Sequence, residues 1–386
     1  MTAPAPCCIR RDALFVVLFA LVCLALILLP TGFEERSQGG DAERTRGRIV
    51  TVDDSHVQRF GILRQGEQLV IVEALGGRFK GQQFRAQNIL QGRMDLDKLY
   101  QPGDTVLLVL TINADGQVIF ANPQDHYRLG LEFLLLGLFA VLLLLYGRWT
   151  GVKALLSFVL TALMLWKVLV PRLLAGWDPF WLSIGVVTFL TAAIILLVAG
   201  PTRKGLVALL GSLLGILCSA TLAYYFTLQF RVHGAVLPFA EIMLYSGFGH
   251  LDLVKLFVGS VFIAASGAVM DLAMDVAAAM DEVVCNKPDI TRREVLRSGL
   301  NVGRAVVGTM TTTLLLAYSG GYITLLMAFM AQGVPLTNQF NLLYVSAEVL
   351  KTLVGSFGLV TVAPFTAVVG SLLLVRHAPA CARAPQ

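Results

Sequence analysis

Eight long runs of apolar residues restrict the fold of this chain more than any other feature of its sequence. Each run is about twenty residues long, which as an α-helix spans a hydrocarbon core of about 30 Å. The runs lie at 13–30, 129–147, 152–172, 180–199, 206–226, 254–278, 303–330 and 353–375. The chain is 56% hydrophobic and 14% charged, whereas about a quarter of a soluble domain is charged. The sequence therefore predicts an all-α membrane helical bundle with about eight transmembrane helices.

Two of these runs leave alternatives open. Two arginines precede the run at 13–30, so a secretory signal peptide is one interpretation of it. Residues 30–33, Pro-Thr-Gly-Phe, make a poor cleavage site, which favours an uncleaved first helix. The run at 303–330 contains Ser-Gly-Gly at 319–321, where the helix could break.

The stretch at 31–126 differs from the rest, because its apolar segments are short and separated by glycine-containing turns. Five of them are rich in β-branched and aromatic residues and predict strands. These are GRIVTV, EQLVIVEAL, QQFRAQNIL, DTVLLVLTIN and QVIFANP. Asp115-Gly116 separates the last two, which is typical of a hairpin. With a short helix expected in GRMDLDKLY, between the third and fourth strands, the pattern indicates a small all-β, OB-like barrel inserted after the first helix.

The positive charges predict the orientation in the membrane. If the N-terminus is cytoplasmic, thirteen Lys and Arg residues fall on the inside and five fall in the short outer loops or at the outer helix ends. The inside set is Arg10, Arg11, Arg148, Lys153, Arg203, Lys204, Lys287, Arg292, Arg293, Arg297, Arg304, Arg376 and Arg383. The outside set is Lys167, Arg172, Arg231, Lys255 and Lys351. This bias indicates a multi-pass protein of the cell membrane with both termini cytoplasmic.

The predicted organisation has five parts. These are a cytoplasmic N-terminus at 1–12, a first transmembrane helix at 13–30, an extracytoplasmic β-rich domain at 31–126, a seven-helix transmembrane bundle at 127–375 and a cytoplasmic tail at 376–386. The lipid bilayer is the first expected partner, and the β-rich domain is a candidate site for an extracytoplasmic protein partner.

Several function classes are disfavoured by the motifs that are missing. The chain has no Walker A pattern, no GxGxxG after a strand, no HExxH, and no GxSxG with a suitable histidine. No cysteine pair has zinc-ligand spacing near histidines, and none of the six cysteines lies between 31 and 126. The β-rich domain has 13 acidic against 11 Lys and Arg residues, which argues against nucleic acid. We therefore expect no enzyme activity, no cofactor, no metal site and no nucleic-acid partner.

Carboxylates at the end of the run at 254–278 are the strongest candidate functional groups. At 100° per residue, Asp271, Asp275 and Glu282 share one stripe of the helix with Gly267. Ionisable groups within transmembrane segments are costly and often mark ion or substrate pathways. The alternative is that these carboxylates have no functional role, because Asp271 lies near the inner edge of the hydrocarbon and Asp275 and Glu282 are hydrated.

The next run carries a second polar stripe. Asn301, Gly308 and Thr312 lie on one face, with Arg304 and Thr311 beside it and Thr309 close by. Because consecutive helices of a bundle are usually antiparallel neighbours, this stripe is predicted to face the carboxylates, and Arg304 is placed to pair with Asp275 or Glu282. The alternative is that the threonine hydroxyls bond only to their own helix backbone.

Two further features predict packing and not chemistry. Gly211, Gly215 and Ser219 are spaced by four, which lets two helix backbones approach closely. Gly267, on the stripe of carboxylates, is a further candidate for close helix packing. Glu348 and Lys351 are spaced by three at the outer start of the last run, where an ion pair within the helix is expected.

Three motifs together resemble the YibE/F-like family of bacterial membrane proteins. They are GAVMDLAMD at 267–275, RSGLNVGRAVVGTMTTTLLLAYSGG at 297–321 and SAEVLKTLVGSFGLV at 346–360, and the resemblance extends from about residue 47 to 375. It implies an N-terminal helix, an exported β-rich domain and a multi-helix bundle, but no established activity. The motif positions that it implies are Asp271, Asn301, Gly303, Arg304, Gly308, Thr309, Thr311 and Glu348. This chain has TMTTT where the family has TMTNT, so the resemblance does not extend to Thr312.

These observations favour two functions over a third, an unrecognised membrane enzyme. The first is a transporter or permease for an unidentified small ion or solute, with the acidic stripe along its path. The second is a membrane scaffold or assembly factor without transport activity, which acts through its exported β-rich domain and whose polar stripes only brace helices.

Overall fold

The computed structural model describes residues 6–33, 42–94, 96–113 and 115–375, with side chains from Ala13 onward. Of the predicted cytoplasmic segments, residues 1–5 and 376–386 lie outside this description, as do the side chains of Arg10 and Arg11. The chain divides into two compact units. One comprises Pro30–Leu145, and the other comprises Met1–Leu29 together with Tyr146–Gln386.

Five antiparallel strands form the sheet of the first unit. They are β1 Ala42–Phe60, β2 Leu63–Ala74, β3 Gln83–Gln91, β4 Thr105–Ile112 and β5 Val118–His126. Their order in the sheet is β3-β2-β1-β4-β5. The two edge strands, β3 and β5, lie close to each other, so the sheet comes close to a barrel. Alternate residues point inward, and Ile49, Val72, Leu108 and Ala121 form part of the core. The predicted β-rich domain is confirmed as a small near-barrel, and its OB-like character stays a prediction.

A buried polar network closes this core beside the chain that links β3 to β4. The Gln68 side-chain amide donates to the Tyr100 carbonyl at 3.1 Å, and the Asn88 amide donates to Gln68 Oε1 at 3.1 Å. The Tyr100 hydroxyl donates to the Pro123 carbonyl at 2.7 Å, and burial raises the pKa of Tyr100. The short helix expected in this link is not seen, because the described residues on either side of Asp95 form a turn.

The second unit is helical, and helix α2 is shared between the two units. The helices are α1 Pro6–Leu28, α2 Leu129–Leu163, α3 Val170–Leu174, α4 Pro179–Ala199, α5 Arg203–Gln229, α6 Ala240–Tyr245, α7 Leu253–Asn286, α8 Arg292–Ser319, α9 Ile323–Ala331, α10 Leu336–Asn341 and α11 Leu343–Leu373. A π-helical segment at Met164–Leu169 joins α2 to α3, and a 3₁₀ turn lies at Gly234–Val236.

Six helical segments of the described chain are long and apolar enough to cross a membrane. The first of them, Leu129–Leu174, is divided by Arg148, whose φ of 46° and ψ of −121° are not helical. Ala13–Leu28 is a shorter apolar helix. A membrane helical bundle is therefore indicated, and the number of eight spans stays a prediction.

Helix ends differ from the apolar boundaries in the sequence. Helix α7 continues to Asn286, and α8 begins at Arg292, because charged residues beyond the apolar run still extend the helix. Thr291 and Glu294 form a capping box at the start of α8. The glycines at 320–321 end α8, and α9 starts at Ile323, so the apolar run at 303–330 does contain the expected break.

Helices α5 and α11 pack together where the sequence places small residues. A methyl group added at Gly211 would lie 2.1 Å from Thr366 Oγ1, and one at Gly215 would lie 2.9 Å from Val362 Cβ. At Gly358 it would lie 2.1 Å from the Ser219 hydroxyl oxygen. As the residue number increases along α5, the number of its contact residue on α11 decreases, so the two helices are antiparallel.

Candidate functional site

The acidic stripe of α7 lies on the open face of its helix. Asp271, Asp275 and Glu282 are exposed at spacings of four and seven, as the helical periodicity predicts. No described residue forms an ion pair or a hydrogen bond with any of the three side chains. Gly267 continues the stripe, and a methyl group added there would meet nothing within 4 Å. Gly267 is thus not a site of close helix packing within this chain.

The polar stripe of α8 is also open. Asn301, Arg304, Gly308 and Thr312 are exposed, and a methyl group added at Gly308 would meet nothing within 4 Å. The hydroxyls donate to carbonyls of the preceding turn of the same helix. These hydrogen bonds are Thr309 to Val306 at 3.0 Å, Thr311 to Val307 at 2.9 Å, Thr312 to Gly308 at 3.2 Å and Thr313 to Thr309 at 3.0 Å.

Helices α7 and α8 contact through other faces. A methyl group added at Gly299 would lie 2.6 Å from Met280 Sδ, and one at Gly303 would lie 3.9 Å from Val276 Cγ2. In this antiparallel register Arg304 falls at the level of Asp275, yet no described ion pair joins them. The two polar stripes are not buried against each other, because α8 presents its small buried positions to α7 and α11 and turns its polar residues outward.

The acidic stripe instead leads into a groove between α7, α4 and the end of α2 with its π-helical segment. The groove has a volume of ≈ 220 Å³. Its wall includes Ala264 and Gly267, which lie on the acidic stripe two turns and one turn before Asp271, and also Met270. Three hydroxyl residues, Thr161, Thr191 and Ser266, line it among aliphatic side chains. Asp271 therefore stands beside a mostly apolar groove that contains a few polar groups.

A second polar cluster lies at the start of α11. Lys351 Nζ donates to Glu348 Oε1 at 2.7 Å, and both side chains are mostly buried, with 19% and 27% exposed. Lys351 Nζ also lies 5.7 Å from the centre of the Phe257 ring on α7. The expected ion pair is thus formed, and it is held between two helices. Two turns beyond Glu348 on α11, Gly355 lies against the ring of Tyr318 from α8. The Tyr318 hydroxyl is buried and has no partner among the described residues.

Sequence analysis missed a third polar contact, between α4 and α7. Asp178 accepts from the Phe180 and Trp181 amides as the N-cap of α4, and its carboxylate pairs with Lys255 Nζ at 2.5 Å. The Lys255 ammonium lowers the pKa of Asp178. The signal for the cap was present, because Asp followed by Pro at the first helical position is typical of a helix start. The pairing with Lys255 depends on the tertiary fold.

Metal chemistry receives no support from the described residues. Among them, no group of three or more His, Cys, Asp and Glu side chains is arranged to hold a metal ion.

The several long apolar helices indicate a membrane protein. Residues 135–376, more than half of the chain, match the family model described as YibE/F-like protein, and the chain belongs to that family. The match covers the acidic stripe, the α8 stripe and the Glu348–Lys351 pair. No curated protein and no solved structure matches the chain.

Proposed function

We propose that this protein is a transporter for a small ion or solute in the cell membrane, with Asp271 at the entrance to its path. One observation carries the proposal. An unpartnered carboxylate on a membrane helix stands beside a groove that contains three hydroxyl residues. Mostly apolar walls with a few polar groups are typical of small-molecule sites. A carboxylate within a membrane helix is energetically costly and often marks a functional site.

The depth of Asp271 agrees with this role. It lies about 27 Å along α7 from Leu253, so that it falls near one edge of a hydrocarbon core of about 30 Å. A carboxylate at that edge attracts a cation or a proton from water and presents it to the groove. With both termini cytoplasmic, as the loop charges favour, this edge is the inner one.

Flux into vesicles that contain the purified protein tests the proposal. A pH dye inside the vesicles reports proton movement while a panel of cations and small anions is added outside. We expect flux that Asp271→Asn reduces to the level of empty vesicles, because the amide cannot ionise. Asp281→Asn is the matched control, since it removes a carboxylate from the same helix away from the stripe. Equal flux from both variants would contradict the assignment of Asp271.

Thiol accessibility gives an independent test of the path. With cysteine at Gly267, a charged, membrane-impermeant thiol reagent should react from one side, because this position lines the groove. Cysteine at Ser219, which is buried between α5 and α11, should stay unreactive. A groove filled by lipid in the membrane would leave both positions unreactive and argue against a water-accessible path.

The second candidate is a scaffold that acts through an OB-like β-rich domain. It is favoured by the α8 stripe, whose threonine hydroxyls all bond to their own backbone and need no ligand. A folded protein that gives no flux over the whole panel would support it. A protein partner captured by residues 31–126 within the full chain would then identify its role.

A further inference from the structure

The hairpin between β1 and β2 ends in an apolar tip that extends beyond the sheet. The hairpin tip comprises residues 59–64, Arg-Phe-Gly-Ile-Leu-Arg. Strand β3 pairs with β2 only as far as Gln65, so the pairs Phe60–Leu63 and Arg59–Arg64 have no third strand beside them. Phe60 is 56% exposed, Ile62 82% and Leu63 38%.

Turn formation does not explain this composition. Gly61 has a φ of 63°, and Ile62 is not in the left-handed region, which fits a two-residue turn with glycine first. The second turn position accepts polar residues, so an exposed isoleucine there is not required by the backbone. The two arginines lie directly opposite each other, and like charges in this arrangement destabilise a strand pair.

The order of residues along the hairpin matches the layers of a lipid surface. Ile62 is at the apex, Phe60 and Leu63 follow, and the arginines come one residue further back. Apolar side chains that enter the boundary of the acyl chains would place the arginines at the level of the phosphates. Arginine is suited to phosphate because its planar group offers paired donors. No Asp or Glu lies between 58 and 65, so nothing in the tip opposes an anionic surface.

We propose that the hairpin tip binds the surface of a membrane that contains anionic phospholipid. The arginines bind the phosphates, and the three apolar side chains enter the edge of the acyl layer. This interaction is separate from the proposed transport, because none of its residues belongs to the membrane helices.

Photo-crosslinking of the full chain tests the proposal. The photoreactive residue p-benzoylphenylalanine replaces Ile62, and the protein is reconstituted into phosphatidylcholine vesicles with or without phosphatidylglycerol. Mass spectrometry then measures lipid adducts after illumination. The control variant carries the same residue at Ile119, which is 69% exposed on β5 of the same sheet and has no arginine nearby in its strand.

We expect phosphatidylglycerol adducts at position 62 and few at position 119. Arg59→Gln and Arg64→Gln should each reduce the adduct yield about fivefold, since one arginine near an anionic surface contributes about one kcal/mol. Both variants should keep the fold, because they remove a like-charge pair. Equal adducts at 62 and 119, no lipid adduct at 62, or cross-links from 62 to a protein in native membranes would each overturn the proposal.

Discussion

Gly211→Ala should destabilise the helix bundle although alanine is the better helix former. The added methyl group would lie 2.1 Å from Thr366 Oγ1, 2.9 Å from its Cβ and 3.0 Å from its Cα. Rotation of the threonine cannot relieve the last two contacts, so α5 and α11 must move apart. Such overpacking costs up to about 3 kcal/mol, and the helix propensity of alanine returns about 1 kcal/mol. We expect a net loss of up to about 2 kcal/mol.

Gly267→Ala is the matched control for this prediction. It makes the same chemical change inside a helix, but nothing lies within 4 Å of the added group. We therefore expect it to be neutral or to stabilise the protein by up to about 1 kcal/mol. Unfolding by sodium dodecyl sulfate in mixed micelles, followed by circular dichroism, measures both variants. If Gly211→Ala unfolds at the same detergent fraction as Gly267→Ala, the close contact of α5 with α11 is wrong.

Two further predictions concern polar contacts. Asp178→Asn keeps the helix cap but loses the ion pair with Lys255. This pair lowers the pKa of Asp178. Its contribution to the free energy of unfolding is therefore present above about pH 4 and is lost as the pH falls through the lowered pKa. Both side chains are about a third exposed, so the thermal unfolding difference from the wild type should correspond to less than about 1 kcal/mol near pH 7 and shrink as the pH falls through the lowered pKa of Asp178, whereas a difference that is independent of pH would contradict the assignment. Tyr100→Phe leaves the Pro123 carbonyl without its donor and should cost the β-rich unit about 1 kcal/mol, measured as reduced hydrogen-exchange protection of β4 and β5; unchanged protection would refute it.

The candidate site was predictable only in part, and the acidic stripe shows why. Helical periodicity alone places Asp271, Asp275 and Glu282 on one face, and the structure has them there. The same reasoning paired this face with the threonines of α8 because the two helices are consecutive. Which face of α8 meets α7 depends on Gly299 and Gly303, which fit against Met280 and the alanines of α11. That choice is made by packing across several helices.

Boundaries and pairings in the bundle follow the same division. The apolar runs at 129–147 and 152–172 give no sign of how their helices are joined at Arg148, whose backbone is not helical. The pairing of Asp178 with Lys255 joins residues far apart in the sequence, and only the contact of α4 with α7 brings them together.

The sequence by itself determined the membrane helices, the five strands and the face of each polar stripe, because these depend on interactions between residues that are close along the chain. The tertiary structure decided the groove beside Asp271, the mostly buried Glu348–Lys351 pair against Phe257 and the contact of Gly211 with Thr366. These features depend on the shapes of side chains from different helices. Such shapes select one packing among many that share the same apolar pattern.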